Sequence, residues 1–282
     1  MPDMIHWLIQ SFDDCPEILR QDATPAWLSD DERRRLAGFR VEKRRQEWLL
    51  GRWTAKRLTQ TVLRGDFRED GNDEWPLDRL LVAADASGAP YVSLQTEGQR
   101  LPFSLSISHS HGVAFCAIAR TNDAHDDPGA THDQSRTANQ TPDAGQDATQ
   151  HSRRTHCAVG ADIELVEGRT ATFVVDFFTP AEQSAIVTAP AEQRDLLATA
   201  IWSAKEAVLK ALREGLRVDT RLVECLIDLS DPPPQEWTPF PIRVDERTIN
   251  QAGQPSSWSG WWRMVEGRFV LTLATRSSVE FL

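Results

Sequence analysis

Between Thr121 and His156 the only apolar residues are five alanines, and everything else is polar, Gly or Pro. Such a stretch cannot bury enough surface to offset the entropy of ordering it, so it is expected to be a disordered, low-complexity insertion. Any hydrophobic core must then come from the chain on either side, which predicts a first half over 1–120, the insertion over 121–156, and a second half over 157–282. The insertion carries four histidines, but their irregular spacing does not describe a metal-binding tract.

The formal net charge of -11 argues against a general nucleic-acid binder. No apolar run reaches the length of about eighteen residues that a membrane span requires. Met1 to Gln10 lacks the basic start and apolar centre of a signal peptide, so a cytoplasmic protein that meets neither membrane nor nucleic acid is expected. Cys15, Cys116, Cys157 and Cys225 are scattered without a Cys-x-x-Cys pair, which suggests neither a zinc site nor a disulfide framework.

Along the first half, Met4 to Phe12 reads as a strand, and Ser29-Asp30-Asp31-Glu32 has the spacing of a capping box that opens a helix to about Gly38. From about Val41 to Leu63, Trp48, Ala55, Leu58 and Val62 recur at helical spacing and mark the buried face of a longer helix, flanked by Arg45, Arg52 and Lys56. Ten Lys or Arg residues lie between Arg33 and Arg57 against two acids, Glu42 and Glu47, a local balance of about +8 in an acidic chain. A field of that sign attracts phosphorylated ligands or acidic partners, although it is also what the wet side of two helices looks like. Two strand pairs follow: Leu80–Ala84 with Tyr91–Leu94, and Phe103–Ser108 with Val113–Ala119. The second pair is joined by a turn over His109, Ser110, His111 and Gly112.

In the second half, Val159 to Leu165 alternates. Ala161, Ile163 and Leu165 point one way, and Asp162 and Glu164 the other. Two carboxylates on one strand face repel each other unless a cation lies between them, and oxygen donors suit a hard ion such as Mg²⁺. Thr179-Pro180-Ala181-Glu182 has a hydroxyl cap, proline at the first helical position and a return glutamate, which favours a capping role for Glu182 over a chemical one. Ile201 to Leu216 is rich in helix formers and reaches Gly215, a residue suited to a left-handed cap. Trp202, Glu206 and Lys210 share one face of that helix. Glu206 and Lys210 are either an ordinary surface pair or, if Glu206 faces Asp162 and Glu164, part of a metal site. After Leu222–Leu229, read as a strand, and a proline-rich loop, Trp258–Val265 and Phe269–Ala274 form a hairpin around Glu266-Gly267. The trio Trp258, Trp261 and Trp262 suits a core or a partner edge equally well.

The motifs Ser106-Ile107-Ser108-His109-Ser110, Gly160-Ala161-Asp162-Ile163-Glu164, Phe178-Thr179-Pro180-Ala181-Glu182 and Trp202-Ser203-Ala204-Lys205-Glu206-Ala207 occur in the order seen in 4′-phosphopantetheinyl transferases. From about Ser29 to Leu229, the insertion apart, the chain resembles the larger, two-halved class of that family, which activates carrier proteins of assembly lines. The resemblance implies an α+β fold of two similar subdomains related by a pseudo-twofold axis, each a long helix packed on a small, mainly antiparallel sheet. It further implies a monomer that moves the phosphopantetheine arm of coenzyme A onto a serine of an apo acyl or peptidyl carrier protein. Carried over residue by residue, it places Mg²⁺ on Asp162, Glu164 and Glu206. Coenzyme A falls to Arg35, Arg52, Ser108, His109 and Lys210, with the 3′-phosphate on Ser108 and His109, and catalysis falls to Glu206 and Lys210. The proton of the acceptor serine goes to Glu206 or to a water on the metal. Departures stand at Ala89, Arg213 and Glu214, where relatives more often have Lys, Gly and a small or basic residue. Two rival functions remain open: a non-catalytic module that binds coenzyme A or carrier protein, and a Mg²⁺-dependent hydrolase of coenzyme A or a nucleotide. The absence of a Gly-x-Gly-x-x-Gly or Walker loop, and of regular strand–helix alternation, disfavours a doubly wound parallel sheet.

Overall fold

The capping boxes expected at Ser29 and Thr179 each open a helix. In a computed structural model that describes residues 5–20, 24–66, 75–95, 98–121, 154–213, 217–229, 232–245 and 256–280, Ser29 caps α1 (Asp30–Leu36) and Thr179 caps α4 (Pro180–Thr188). In each box the hydroxyl accepts from the backbone N–H three residues on, and a glutamate there returns to the cap N–H. Glu32 receives Ser29 N–H at 2.9 Å, and Glu182 receives Thr179 N–H at 2.7 Å. Two otherwise unsatisfied donors are satisfied at each start.

The first half runs β1 (Ile5–Ser11), α1, the long helix α2 (Glu42–Asp66), the hairpin β2 (Leu80–Ala84) with β3 (Pro90–Leu94), and the hairpin β4 (Phe103–Ser110) with β5 (Val113–Arg120). The second half repeats that order: β6 (Arg154–Leu165), α3 (Ala171–Phe177) and α4, the long helix α5 (Arg194–Leu212), β7 (Val223–Cys225) paired with β9 (Ile242–Val244), and the hairpin β10 (Ser256–Val265) with β11 (Phe269–Glu280). The sheet of the first half is ordered β1-β5-β4. That of the second is β6-β11-β10, extended by β8 (Thr238–Phe240), and the pairings within both are antiparallel. The chain is thus α+β with small antiparallel sheets.

Each long helix covers its own cluster. Leu58, Val62 and Leu63 of α2 pack on Leu80, Leu105 and Ile118, and the residues of α5 pack on Phe178, Val223 and Trp262. A third cluster belongs to both halves, joining Phe115 and Ala117 of β5 to Ile163 of β6, Trp261 of β10 and Leu271 of β11. Fully burying a large apolar side chain contributes roughly 1.5–3 kcal/mol, so this shared layer ties the two sheets together. Trp261 and Trp262 therefore belong to the core, and Trp258 packs against it.

Four expectations change. The helix expected to reach Gly215 ends at Leu212, and Arg213 itself takes the left-handed cap position at φ 61°, because its N–H closes the last turn onto Leu209 and Lys210. Glu214, Gly215 and Leu216 lie outside the described residues. His109 and Ser110 belong to β4, and the turn is only His111-Gly112. Both of those residues have positive φ, as a two-residue hairpin of primed type requires. The strand expected over Leu222–Leu229 pairs only from Val223 to Cys225. Of the expected insertion, residues 122–153 lie outside the described part, while β6 starts at Arg154.

Candidate functional site

β4 and β6 lie edge to edge at the meeting of the two sheets, and serine hydroxyls join them. Ser104 Oγ accepts Val159 N–H at 3.0 Å, and two residues on Ser106 Oγ accepts Ala161 N–H at 2.9 Å. The next serine departs from that pattern: Ser108 donates to the Asp162 side chain at 2.7 Å. Every one of these serines is buried.

On the other side of β6, α5 crosses unusually close. A Cβ on Gly160 would stand 1.7 Å from the Ala207 carbonyl oxygen, so glycine is what lets the helix approach. That approach brings Lys210 onto β6, where its Nζ donates to Asp162 Oδ1 at 2.6 Å and to the Ala161 carbonyl at 3.1 Å. Asp162 is buried and its Oδ1 takes two donors, while Oδ2 has none. Glu206, one turn before Lys210, likewise has a buried Oε1 without a partner. Burial raises its carboxyl to about 6, against the pull of Lys210 and with help from the charges of Asp162 and Glu164. The structure thus gathers Asp162, Glu164, Glu206 and Lys210 into one mutual field.

Glu164 is engaged differently. Arg169 Nη2 donates to its Oε2 at 3.1 Å, while Nη1 lies 3.3 Å from Glu167 and the guanidinium sits over the Phe173 ring. Burial, then Asp162, hold the Glu164 carboxyl above its ordinary value even so. Arg169 went unnoticed in the sequence. It lies five residues from Glu164 across a strand end, a separation that carries no periodic signal.

Among the described residues, no three His, Cys, Asp or Glu side chains converge closely enough to hold a metal ion as they stand. The donor chemistry nevertheless fits a hard divalent cation, because Asp162 and Glu206 each present a buried carboxylate oxygen that no hydrogen bond satisfies. Glu164 would join them once Arg169 let go.

The remaining candidates belong to the first half. His109, next to Ser108, is exposed, and partial desolvation holds its imidazole below the ordinary histidine value, with Glu47, Lys210 and Asp162 also acting on it. Arg52 stacks over Trp48 at 4.9 Å with its Nε unpartnered, and burial lowers it to about 10. Arg35, exposed on α1, is close enough for its like charge to act on Arg52. Burial raises the Cys116 thiol of β5, against the pull of both Arg52 and Lys210. Ser108, expected at the phosphate, donates its hydroxyl proton to Asp162 in this structure. Lys56, counted among the flanking cations, is wholly buried at 2.5 Å from Glu32 and serves the fold; Arg45 is buried as well.

A family profile described as the 4′-phosphopantetheinyl transferase superfamily matches residues 158–273, less than half of the chain but a stretch that contains Asp162, Glu164, Glu206 and Lys210. No curated protein matches. Among solved structures, an apo-ACPS of Chronobacterium ammoniagenes is 21% identical over 41% of this chain and 95% of its own, with a TM-score of 0.32. An ACPS-CoA complex of the same organism is 16% identical over 45% of this chain and 98% of its own, with a TM-score of 0.33. Similarity of that degree decides nothing about the chemistry of this chain.

Proposed function

We propose that the chain is a 4′-phosphopantetheinyl transferase of two pseudo-twofold-related halves, a cytoplasmic monomer that moves the phosphopantetheine arm of coenzyme A onto a serine of an apo acyl or peptidyl carrier protein. The serine oxygen bonds to the β-phosphorus, the bond from that phosphorus to the bridging oxygen breaks, and 3′,5′-ADP leaves with the electron pair. The observation that carries this reading is the pairing of Lys210 with Asp162 at 2.6 Å beside two buried carboxylate oxygens, Asp162 Oδ2 and Glu206 Oε1, that have no donor. Buried, unsatisfied acceptors are costly, and a site that keeps them is arranged for a ligand.

Asp162, Glu206 and, on release from Arg169, Glu164 would hold Mg²⁺, which when bound neutralises charge on the pyrophosphate and stabilises the leaving group. Lys210 would meet an oxygen of the transferred phosphoryl group, since its flexible stem already reaches across to β6. Glu206 would take the serine proton on a carboxylate oxygen, its buried Oε1 having no other donor. Arg52, Arg35 and His109 would face the nucleotide end, where an arginine with an unpartnered Nε can donate to phosphate.

The test is to mix the protein with coenzyme A, Mg²⁺ and several apo carrier proteins and weigh the carriers. A gain of one phosphopantetheine on a carrier serine, with 3′,5′-ADP released, is expected. Free phosphopantetheine formed without a carrier would replace this reading with hydrolysis, and binding of coenzyme A without either product would leave only a binding module.

A further inference from the structure

We propose that Ser108 is a positioning residue for Asp162, the link by which the first half of the chain orients the cation-binding carboxylate of the second, and that it does not serve as a phosphate ligand. The inference rests on the reading above.

A serine hydroxyl has one proton to donate, and a phosphate at neutral pH offers chiefly acceptors. Here the proton goes to Asp162 Oδ1 at 2.7 Å inside the seam, where Ser108 is buried. The same oxygen takes Lys210 Nζ at 2.6 Å, so two donors arriving from different elements fix the carboxylate plane and leave Oδ2 free. Lys210 alone could not do so, because its ammonium sits on a long rotatable stem and also holds the Ala161 carbonyl. Two further rungs, Ser104 to Val159 and Ser106 to Ala161, join the edge of β4 to the edge of β6 without touching Asp162. The adjacent His109, exposed at the rim, remains for phosphate.

The experiment uses the full chain and measures Mn²⁺ binding by calorimetry alongside the affinities for coenzyme A and 3′-dephospho-coenzyme A. Ser108→Ala should weaken Mn²⁺ binding about tenfold or more, the usual cost of losing a hydrogen bond that orients a metal ligand. Ser108→Thr, which keeps the hydroxyl, should restore it. The preference for coenzyme A over its 3′-dephospho form should stay at the wild-type ratio in both. Ser104→Ala removes a rung without touching Asp162 and should leave Mn²⁺ affinity unchanged, with circular dichroism and melting temperature checking that every variant folds. The proposal is overturned if Ser108→Ala binds Mn²⁺ like the wild type, if Ser104→Ala weakens it equally, if Ser108→Ala loses the preference for the 3′-phosphate, or if the wild type binds no Mn²⁺. A wild type that binds Mn²⁺ but transfers nothing to any carrier would defeat the proposed function, while the Mn²⁺ measurements would still judge Ser108.

Discussion

Lys205 and Glu182 hold each other at 2.8 Å with both side chains wholly out of water, and Lys56 and Glu32 repeat the arrangement in the first half. The two pairs are built alike, apart from one lysine-bound carbonyl that comes from a different place in each half. Each lysine donates to two backbone carbonyls, Thr220 and Val223 for Lys205, Trp27 and Leu77 for Lys56. Each glutamate receives its cap N–H on Oε2 and a strand N–H on Oε1, from Cys225 or Val82. Buried charges with every donor and acceptor matched are tolerated; one left alone is not.

Lys205→Met should therefore cost about 3–5 kcal/mol, because Glu182 stays buried without its partner. Urea unfolding of the variant measures it, and Lys56→Met should behave alike. A loss below about 1 kcal/mol would contradict the pairing as drawn.

Gly160→Ala should be among the most destabilising single-methyl changes in the chain. The new Cβ would meet the Ala207 carbonyl at 1.7 Å and Ala211 N at 2.9 Å, backbone atoms that cannot turn aside. Overpacking ordinarily costs about 1–3 kcal/mol, and here the helix itself must shift, so a loss at or above the top of that range is expected by chemical denaturation. Lys210 would move with α5, and cation binding should fall as well.

Arg213→Gly should stabilise the protein by about 1 kcal/mol, since a side chain at φ 61° is strained and glycine is not. Melting temperature reads this directly. An unchanged or lower value would mean that the arginine makes contacts worth more than the strain, with Asp85, on whose charge it acts, the first place to look.

Stability should fall as pH rises through the Glu206 transition when divalent cations are chelated. The folded carboxyl sits at about 6, above its ordinary 4.5, so the folded state binds the proton more tightly. Its favourable contribution is complete below the unfolded value and is lost as pH climbs through 6, by at most about 2 kcal/mol. Glu206→Gln should flatten that slope between pH 5 and 7 and leave the protein more stable than wild type at pH 7. A slope that persists in the variant would assign it to another group.

Removing Arg169 should free Glu164. In Arg169→Ala, Mn²⁺ should bind a few-fold more tightly, as expected when a partly exposed ion pair worth roughly 0.2–1 kcal/mol no longer competes. Calorimetry at low and high salt checks it, and weaker binding in the variant would show that Arg169 holds Glu164 in place for the cation.

Much of this was legible in the sequence, because the signals are local. Both capping boxes lie within three residues of their caps, and a box needs nothing from elsewhere in the chain to form. The alternation from Val159 to Leu165 placed Asp162 and Glu164 on the face away from Ala161 and Ile163, and the spacing of Glu206 and Lys210 put them on one side of α5. The repeated segments Trp53-Thr54-Ala55-Lys56 and Trp202-Ser203-Ala204-Lys205 were also there to be read, and they fall within the two long helices.

Tertiary structure alone decided the rest. That Lys56 is core and Arg52 is not, that Ser108 reaches Asp162 across fifty-four residues, and that Arg169 rather than a second lysine holds Glu164 all depend on which strand edges meet. Those meetings are set by the burial of whole faces, Phe115 against Ile163 and α5 against Gly160, and a side chain carries no local mark of the partner that burial will bring to it. The sequence by itself therefore determined the elements and the residue types available for chemistry. The packing of the two halves decided which of those groups would face one another and which would be left without a partner.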